Sequence, residues 1–273
     1  MQFGAVVPGG SPREQVELAV VAERQGWDGV FVFEAAYGHD AWSVLAAMAE
    51  RTERVRLGTM LTPLPWRRPW KLASQVATLD HLSLGRAILA VGLGALETGW
   101  GGPPDEHDRR ARAELLDEGI DLIAALWDGG LSYEGSRLHF DLRDGPIEPF
   151  RPVQVPRPPI WVVGAWPRER SMTRVLRGDG LVPNVMDPTF RPATPTDVAA
   201  MAAWLDAHGR ARPAFDIVVE GETPSDPVAA AGTVAAFADA GATWWLETRW
   251  VAPEGAQPLD LLRDRVLAGP PRP

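Results

Sequence analysis

Short apolar runs alternate with amphipathic stretches along most of the chain. The runs are rich in Val, Ile and Trp and almost continuously apolar, which is typical of parallel strands covered on both faces. They predict eight strands, at residues 2–7, 29–34, 55–61, 87–92, 160–163, 180–183, 216–219 and 243–247.

The segments between these runs carry the signals of helices. Ser11-Pro12-Arg13-Glu14 is a capping box with proline in the first turn, and Asp40 is placed to cap the next helix. Regular alternation of strands and helices favours an α/β fold, a (β/α)8 TIM barrel. The pattern alone leaves a doubly wound parallel sheet as the alternative.

The connection after the fourth strand is much longer than the others. Residues 93–159 contain a helical stretch, a hairpin near 131–140 and a return rich in proline. We interpret 93–159 as an insertion between strands 4 and 5 that covers the barrel mouth as a lid. The whole chain, 1–273, is then one barrel domain.

Composition and charge narrow the possible functions. The 273 residues are 45% hydrophobic and 23% charged, as in an ordinary globular protein. There is no cysteine, which excludes thiolate metal sites and cysteine nucleophiles, and Lys71 is the only lysine available for Schiff-base chemistry. A net charge of −9 disfavours a nucleic-acid partner. No membrane span or signal peptide is visible, so we expect a cytoplasmic protein with no membrane partner.

Several common catalytic motifs are incomplete or absent in the sequence. Gly92-Leu93-Gly94 follows a strand, but Glu97 stands where a dinucleotide fingerprint needs its third glycine. The five histidines are scattered, so we expect no metal site, and there is no Gly-x-Ser-x-Gly elbow of a hydrolase.

Polar residues and glycines gather where the predicted strands end, and a barrel keeps its active site at those carboxyl ends. They are Glu34 after strand 2, Thr59 and Thr62 after strand 3, Gly92 and Gly94 after strand 4, and Gly164 after strand 5. Their convergence on one face favours a site at the barrel mouth.

Two further features point to a ligand at the same end. Residues 163–167 precede a predicted helix start with Arg168 in its first turn, and exposed backbone N–H groups beside an arginine favour an anion such as a phosphate. Trp66 and Trp100 fall in predicted loops there and suit a flat ring as substrate-binding walls.

The signature region of one known family is recognisable in residues 54–94, RVRLGTMLTPLPWRRPWKLASQVATLDHLSLGRAILAVGLG. Supporting segments are AERQGWDGVFVFE at 22–34, GHDAWSVLAAMAERT at 38–52, RPPIWVVGAWP at 157–167 and GDGLVPN at 178–184. In these segments the chain resembles the bacterial luciferase-like monooxygenases. The resemblance covers about residues 1–185.

The resemblance implies a barrel that binds FMN or the deazaflavin coenzyme F420 at its mouth and acts on a small-molecule substrate. Members carry a bulge after strand 3, often with a non-proline cis peptide, and the matching positions are Thr59, Met60 and Leu61. The loop that contacts the cofactor phosphate matches Val163, Gly164, Ala165 and Trp166. Relatives are often homodimers.

The chain also departs from part of the family. Deazaflavin-dependent sugar dehydrogenases carry an acid–histidine pair after strand 2 and a glutamate after the strand-4 glycines, whereas this chain has Glu34-Ala35 and Ala95. Glu34 and His39 are the candidate catalytic acid–base groups.

Three functions follow from these observations. The first is a monooxygenase that uses reduced FMN and oxygen, with a separate flavin reductase as partner. The alternative is an F420-dependent oxidoreductase that transfers hydride, and a further alternative is a flavin-binding protein without catalysis.

Overall fold

The computed structural model describes residues 1–94, 108–145, 150–209 and 215–272. Its eight barrel strands are β1 (Gln2–Val7), β2 (Gly29–Val32), β3 (Arg56–Thr59), β4 (Ala87–Gly92), β5 (Ile160–Trp166), β6 (Gly180–Met186), β7 (Asp216–Gly221) and β8 (Trp244–Glu247). Each coincides with a strand predicted from the sequence. The largest differences are at β5 and β6, which both run three residues further than expected.

The strands form a closed ring. Each of the eight pairs in parallel with its two neighbours, and β8 returns to β1 with Trp244 opposite Gln2. The (β/α)8 TIM barrel is therefore confirmed, and the open, doubly wound sheet is wrong.

Eight helices are described: α1 (Pro12–Arg24), α2 (Ala41–Ala49), α3 (Pro69–Leu82), α4 (Arg109–Trp127), α5 (Glu169–Val175), α6 (Pro195–Ala207), α7 (Pro227–Asp239) and α8 (Pro258–Leu267). The predicted caps of the first two helices are present. Ser11 and Glu14 form the capping box of α1, and the Asp40 carboxylate accepts the Ser43 N–H at the start of α2. None of the described helices is both long and apolar enough to cross a membrane.

Aromatic side chains fill the interior of the barrel. Phe31, Trp161 and Trp244 lie in mutual contact, with ring centroids 5.2–5.9 Å apart. The inward residues of the other strands complete an apolar cluster around them. Since this cluster closes the lower barrel, a ligand can enter only at the carboxyl ends of the strands.

The described part of the β4–β5 connection lies along the outside of the barrel. Helix α4 packs beside α3, with the Trp127 indole N–H donating to the Ala73 carbonyl at 3.1 Å. The hairpin predicted near 131–140 is confirmed as Ser132–Glu134 paired with His139–Asp141, and Glu118 of α4 caps its turn. Residues 95–107 and 146–149 lie outside the described residues, so the lid stays a prediction.

Candidate active site at the barrel mouth

A pocket of about 770 Å³ opens at the carboxyl ends of the strands. It brings together many of the residues predicted from the sequence. These are Glu34, Met60, Leu61, Trp66, Gly92, Gly94, Val163 and Ala165. Most of the remaining lining is apolar, as is usual for sites that hold small organic ligands.

The end of β3 forms an apolar platform on one side of the pocket. The Met60–Leu61 peptide is cis, at the position where the family resemblance implies a bulge. Thr59 and Thr62 flank this peptide and are fully buried beneath it, with their hydroxyl oxygens 2.8 Å apart. These two threonines therefore support the platform from below and do not line the pocket.

Glu34 anchors the platform to β2. Its carboxylate accepts the Thr62 hydroxyl at 2.5 Å and the Trp42 indole N–H at 3.3 Å, and it pairs with Arg67 at 2.9 Å. Burial raises the pKa of Glu34 above its ordinary value, and the Arg67 guanidinium opposes that shift. Both carboxylate oxygens of Glu34 have protein partners. The side chain therefore forms a fixed part of the pocket lining.

The glycines after β4 let the chain pass close to this platform. A Cβ on Gly92 would lie 3.1 Å from a Leu61 methyl, and one on Gly94 would lie 2.8 Å from atoms of both Pro63 and Trp66. Gly94 also has a φ of +74°, which side chains rarely adopt. Glycine is required at 94 for both reasons.

The predicted phosphate loop is a continuation of β5. Val163 and Ala165 face the pocket, whereas Gly164 packs against Leu181 in the helix layer, because successive side chains of a strand point to opposite faces. The Ala165 N–H donates to the Ser171 hydroxyl at 2.9 Å. It is therefore already engaged and does not point to an anion.

The two other residues of that prediction also lie outside the pocket. Trp166 packs against the outer core, and Arg168 is exposed at the start of α5. Gly164 and Trp166 were predicted in a turn, but the structure shows them in β5, and Arg168 stands at the N-cap of α5 outside the pocket lining.

Arginines form a different wall of the pocket, contributed by α4 and α5. Arg109, Arg112 and Arg174 line it. Arg112 is almost fully buried and donates to the Leu93 carbonyl, while Arg174 is paired with Asp117. Arg109 makes no ion pair with any of the described residues. This wall, which the sequence analysis missed, is where the structure concentrates positive charge at the mouth.

Two polar atoms on uncharged side chains of the lining are buried without a hydrogen-bond partner among the described residues. They are the indole nitrogen of Trp66, a donor, and Oδ1 of Asn184, an acceptor. Leaving such a group unpaired costs about 1–3 kcal/mol, so a ligand that pairs with both would gain affinity.

Glu220 is the second carboxyl of the pocket, and the sequence analysis did not identify it. It occupies an inward position of β7, two residues beyond Val218 of the barrel core. Burial raises its pKa from 4.5 to about 7, against the opposing effect of a hydrogen bond with Trp250. The Trp250 ring in turn packs edge-on against Phe33 at 5.7 Å.

The structure does not bring His39 to the mouth. His39 is exposed and lines a small hollow of about 180 Å³ on the outer surface, beside residues of α1 and α2. Trp100, the other predicted substrate-binding tryptophan, lies outside the described residues. Across the described ranges no group of three His, Asp or Glu side chains is arranged to hold a metal ion.

A closed parallel barrel with an apolar pocket at its mouth, an arginine wall and two carboxyls is an arrangement typical of barrel enzymes that have their active site at this end. The chain belongs to the luciferase-like monooxygenase family, whose family model matches residues 1–257. The resemblance seen in the sequence is confirmed, and with it the assignment to a family of oxidoreductases.

The similar proteins include F420-dependent enzymes and a monooxygenase. The chain is 32% identical over 219 residues to an F420-dependent glucose-6-phosphate dehydrogenase of Nakamurella multipartita, a match that covers 71% of this chain and 60% of that protein. The curated relatives are thus matched over less than two thirds of their length.

Solved structures show the same fold. The coenzyme F420-dependent tetrahydromethanopterin reductase of Methanopyrus kandleri superposes with a TM-score of 0.75 at 17% identity, covering 98% of both chains. A monooxygenase of Streptomyces bottropensis gives a TM-score of 0.72 at 24% identity, covering 97% of this chain and 96% of its own.

Proposed function

We propose that the chain is an oxidoreductase that binds coenzyme F420 at the barrel mouth and transfers hydride between this cofactor and a small organic substrate. The pocket carries the proposal, because it places an apolar platform beside an arginine wall. Similarity to an F420-dependent dehydrogenase supports this choice of cofactor over FMN. We further propose that residues 1–273 act as one domain, with the 93–159 connection closing the mouth.

The residues of the pocket fit the ring of such a cofactor. Met60, Leu61 and Val163 offer an apolar surface, and the cofactor ring is flat and largely apolar on its faces. Its edges carry carbonyl oxygens and N–H groups. The unpartnered Trp66 indole N–H and Asn184 Oδ1 are the donor and acceptor that such edges require.

The arginine wall fits the anionic tail. Arg109, Arg112 and Arg174 would hold a phosphate group through charge-assisted hydrogen bonds, which are roughly twice as strong as neutral ones. Arg109 is the most available of the three, because the other two already contact Leu93 and Asp117. This assignment replaces the anion site predicted at Gly164 and Trp166.

When bound, F420 would accept or donate a hydride, and oxygen would take no part. The remaining work belongs to the chain. Glu34 holds the platform in place through its hydrogen bond with Thr62, and we propose Glu34 as a positioning residue. Phe33 and Trp250 pack together at the rim and exclude water from the pocket below them.

Binding titrations separate this function from its alternatives. We expect F420 to change the tryptophan and cofactor fluorescence of the purified protein and to bind at least about tenfold more tightly than FMN. Tight binding of FMN alone would support the monooxygenase with its separate reductase instead. Binding without turnover of any substrate would support the non-catalytic flavin-binding protein, and binding of neither cofactor would contradict the proposal.

A charge reversal tests the arginine wall. We expect Arg109→Glu to weaken F420 binding by about tenfold or more, since one charge-assisted contact contributes about 1.5–3 kcal/mol. Arg13→Glu is the matched control, because Arg13 is exposed on α1, away from the mouth. Equal affinity of both variants for F420 would remove Arg109 from the site.

A further inference from the structure

Glu220 is the carboxyl best placed to meet a substrate. Of the pocket-lining residues that lie within the described barrel strands, it alone carries a carboxyl group. Strand alternation turns its side chain inward, as it does for Val218 below, while Gly221 faces Trp245 in the outer layer. The side chain therefore points into the pocket rather than over its edge.

The partners of the two carboxyls differ. Glu34 is held by Thr62, Trp42 and Arg67, so its oxygens are committed to the protein. Among the described residues, the Trp250 side chain is the group that opposes the rise in the pKa of Glu220. Glu220 is thus the carboxyl with acceptor capacity left for a ligand.

Several charged side chains of the pocket lining and of nearby segments form ion pairs. These pairs are Glu247–Arg249, Glu222–Arg249, Asp117–Arg174 and Glu34–Arg67. None of them, and neither Arg109 nor Arg112 on α4, contributes to the pKa of Glu220, which is governed by burial and by Trp250. The charge of Glu220 is therefore not offset by a cation among the described residues.

Part of the pocket lining is apolar, and this part includes Trp250, which interacts with Glu220. Phe33, Met186, Phe190 and Trp250 line the same pocket. An anionic group such as a sugar phosphate would lose its hydration there and be repelled by the Glu220 carboxylate, while the arginines of the pocket are assigned to the cofactor tail. An uncharged molecule with one hydroxyl or carbonyl would bury its apolar part and place its oxygen at the carboxyl.

Resting on the proposed function, we propose that Glu220 is the catalytic acid–base residue and that the substrate is an uncharged alcohol or the matching carbonyl compound. In the oxidation, bound F420 would accept the hydride that leaves when the alcohol C–H bond breaks. The O–H bond breaks as well, its proton passes to the Glu220 carboxylate, and a C=O bond forms. Reduction runs the same steps backwards, with protonated Glu220 as donor.

The first test measures the titration of the Glu220 carboxyl in the protein without cofactor. The protein is labelled with ¹³C at the glutamate carboxyl carbons, and its NMR spectrum is followed against pH. We expect one resonance with a midpoint near pH 7 in the native protein, absent from Glu220→Gln and present in Glu222→Gln. A Glu220 resonance that titrates near pH 4.5 would overturn the proposal.

The second test uses the F420-loaded enzyme with cyclohexanol as the probe. We expect kcat to rise with pH through about 7, because the carboxylate form accepts the proton. Glu220→Gln is expected to lower kcat by about 100-fold or more with the Kd for F420 unchanged. Glu220→Asp is expected to restore part of the rate with a shifted pH profile, and Glu222→Gln to match the native enzyme.

The outcomes separate the two proposals. A native protein that does not bind F420 overturns the proposed function, and the NMR titration still reports on Glu220. The proposed substrate class is overturned if the F420-loaded enzyme oxidises glucose 6-phosphate but not cyclohexanol. It is also overturned if the loaded enzyme oxidises neither compound. A Glu220→Gln enzyme with the native rate and pH profile overturns the catalytic role.

Discussion

Arg67 Nη1 lies 2.9 Å from Glu34 Oε1, so a half-buried cation holds a buried carboxylate beneath the rim of the pocket. Without Arg67 the carboxylate would remain buried but uncompensated. We expect Arg67→Ala to lower the free energy of unfolding by about 2–3 kcal/mol at pH 8. The loss is expected to be smaller at pH 5, since burial already raises the pKa of Glu34 and a proton can then replace the cation.

Urea unfolding at the two pH values measures this difference. Adding Glu34→Gln to Arg67→Ala removes the charge and should recover part of the stability lost at pH 8. An equal loss at both pH values would contradict the role of Arg67 as the counter-ion of Glu34.

Gly94 combines a left-handed backbone with crowding, and Gly26 separates the two effects. Gly26 has a φ of +83° and no neighbouring atom within 4 Å of the place where a Cβ would lie, whereas a Cβ on Gly94 would approach Trp66, Pro63 and Arg112 at 2.8 Å. We expect Gly94→Ala to cost about 1–3 kcal/mol more than Gly26→Ala in thermal or urea unfolding. An equal loss of stability in both variants would mean that Trp66, Pro63 and Arg112 move aside without an energetic cost.

The raised pKa of Glu220 makes stability depend on pH. Its pKa rises from 4.5 to about 7 on folding, so between these values the folded state binds more protons than the unfolded state. Stability conferred by Glu220 is therefore greatest below pH 4.5 and falls as pH rises to about 7. Relative to Glu220→Gln, we expect the native protein to lose about 3 kcal/mol across this window.

The comparison is made by urea unfolding of both proteins between pH 5 and 8. The difference between them cancels the contributions of other titrating groups. A constant difference over the whole range would show that Glu220 keeps its ordinary pKa.

Two aromatic positions predicted from the sequence should behave in opposite ways. Trp66→Phe keeps a ring but removes the unpartnered indole N–H, and we expect F420 to bind about 5- to 30-fold more weakly. His39→Ala changes only the outer hollow, and we expect the affinity to stay within about twofold. Calorimetry or fluorescence titration measures both; a strong effect of His39→Ala would return that residue to the site.

Much of the fold could be predicted because barrel strands are buried on both faces and show as continuous apolar runs. The platform at Met60–Leu61 was found through family resemblance, since its sequence reads as an ordinary strand end. Val163 and Ala165 were correctly placed at the pocket, but Gly164 and Trp166 were not. The reason is that β5 continues to Trp166 by pairing with Val185, and such pairing between distant segments leaves no local signal.

Glu220 and the arginine wall were missed for a related reason. A single glutamate at the end of DIVVEG has the appearance of a solvated strand terminus. Only the closed ring shows that Glu220 points inward, and only the packing of α4 beside the mouth brings Arg109 and Arg112 to the pocket. His39 was misplaced because its loop turns outward before α2 begins.

The alternation along β5 has a practical meaning for altering this protein. Val163 and Ala165 are contact positions for whatever occupies the barrel, and Gly164 belongs to the scaffold between strand and helices. A library that varies 163 and 165 would therefore change ligand preference while sparing expression. Substitutions at Gly164 would mostly give unfolded variants, although this residue lies between the two positions that contact the ligand.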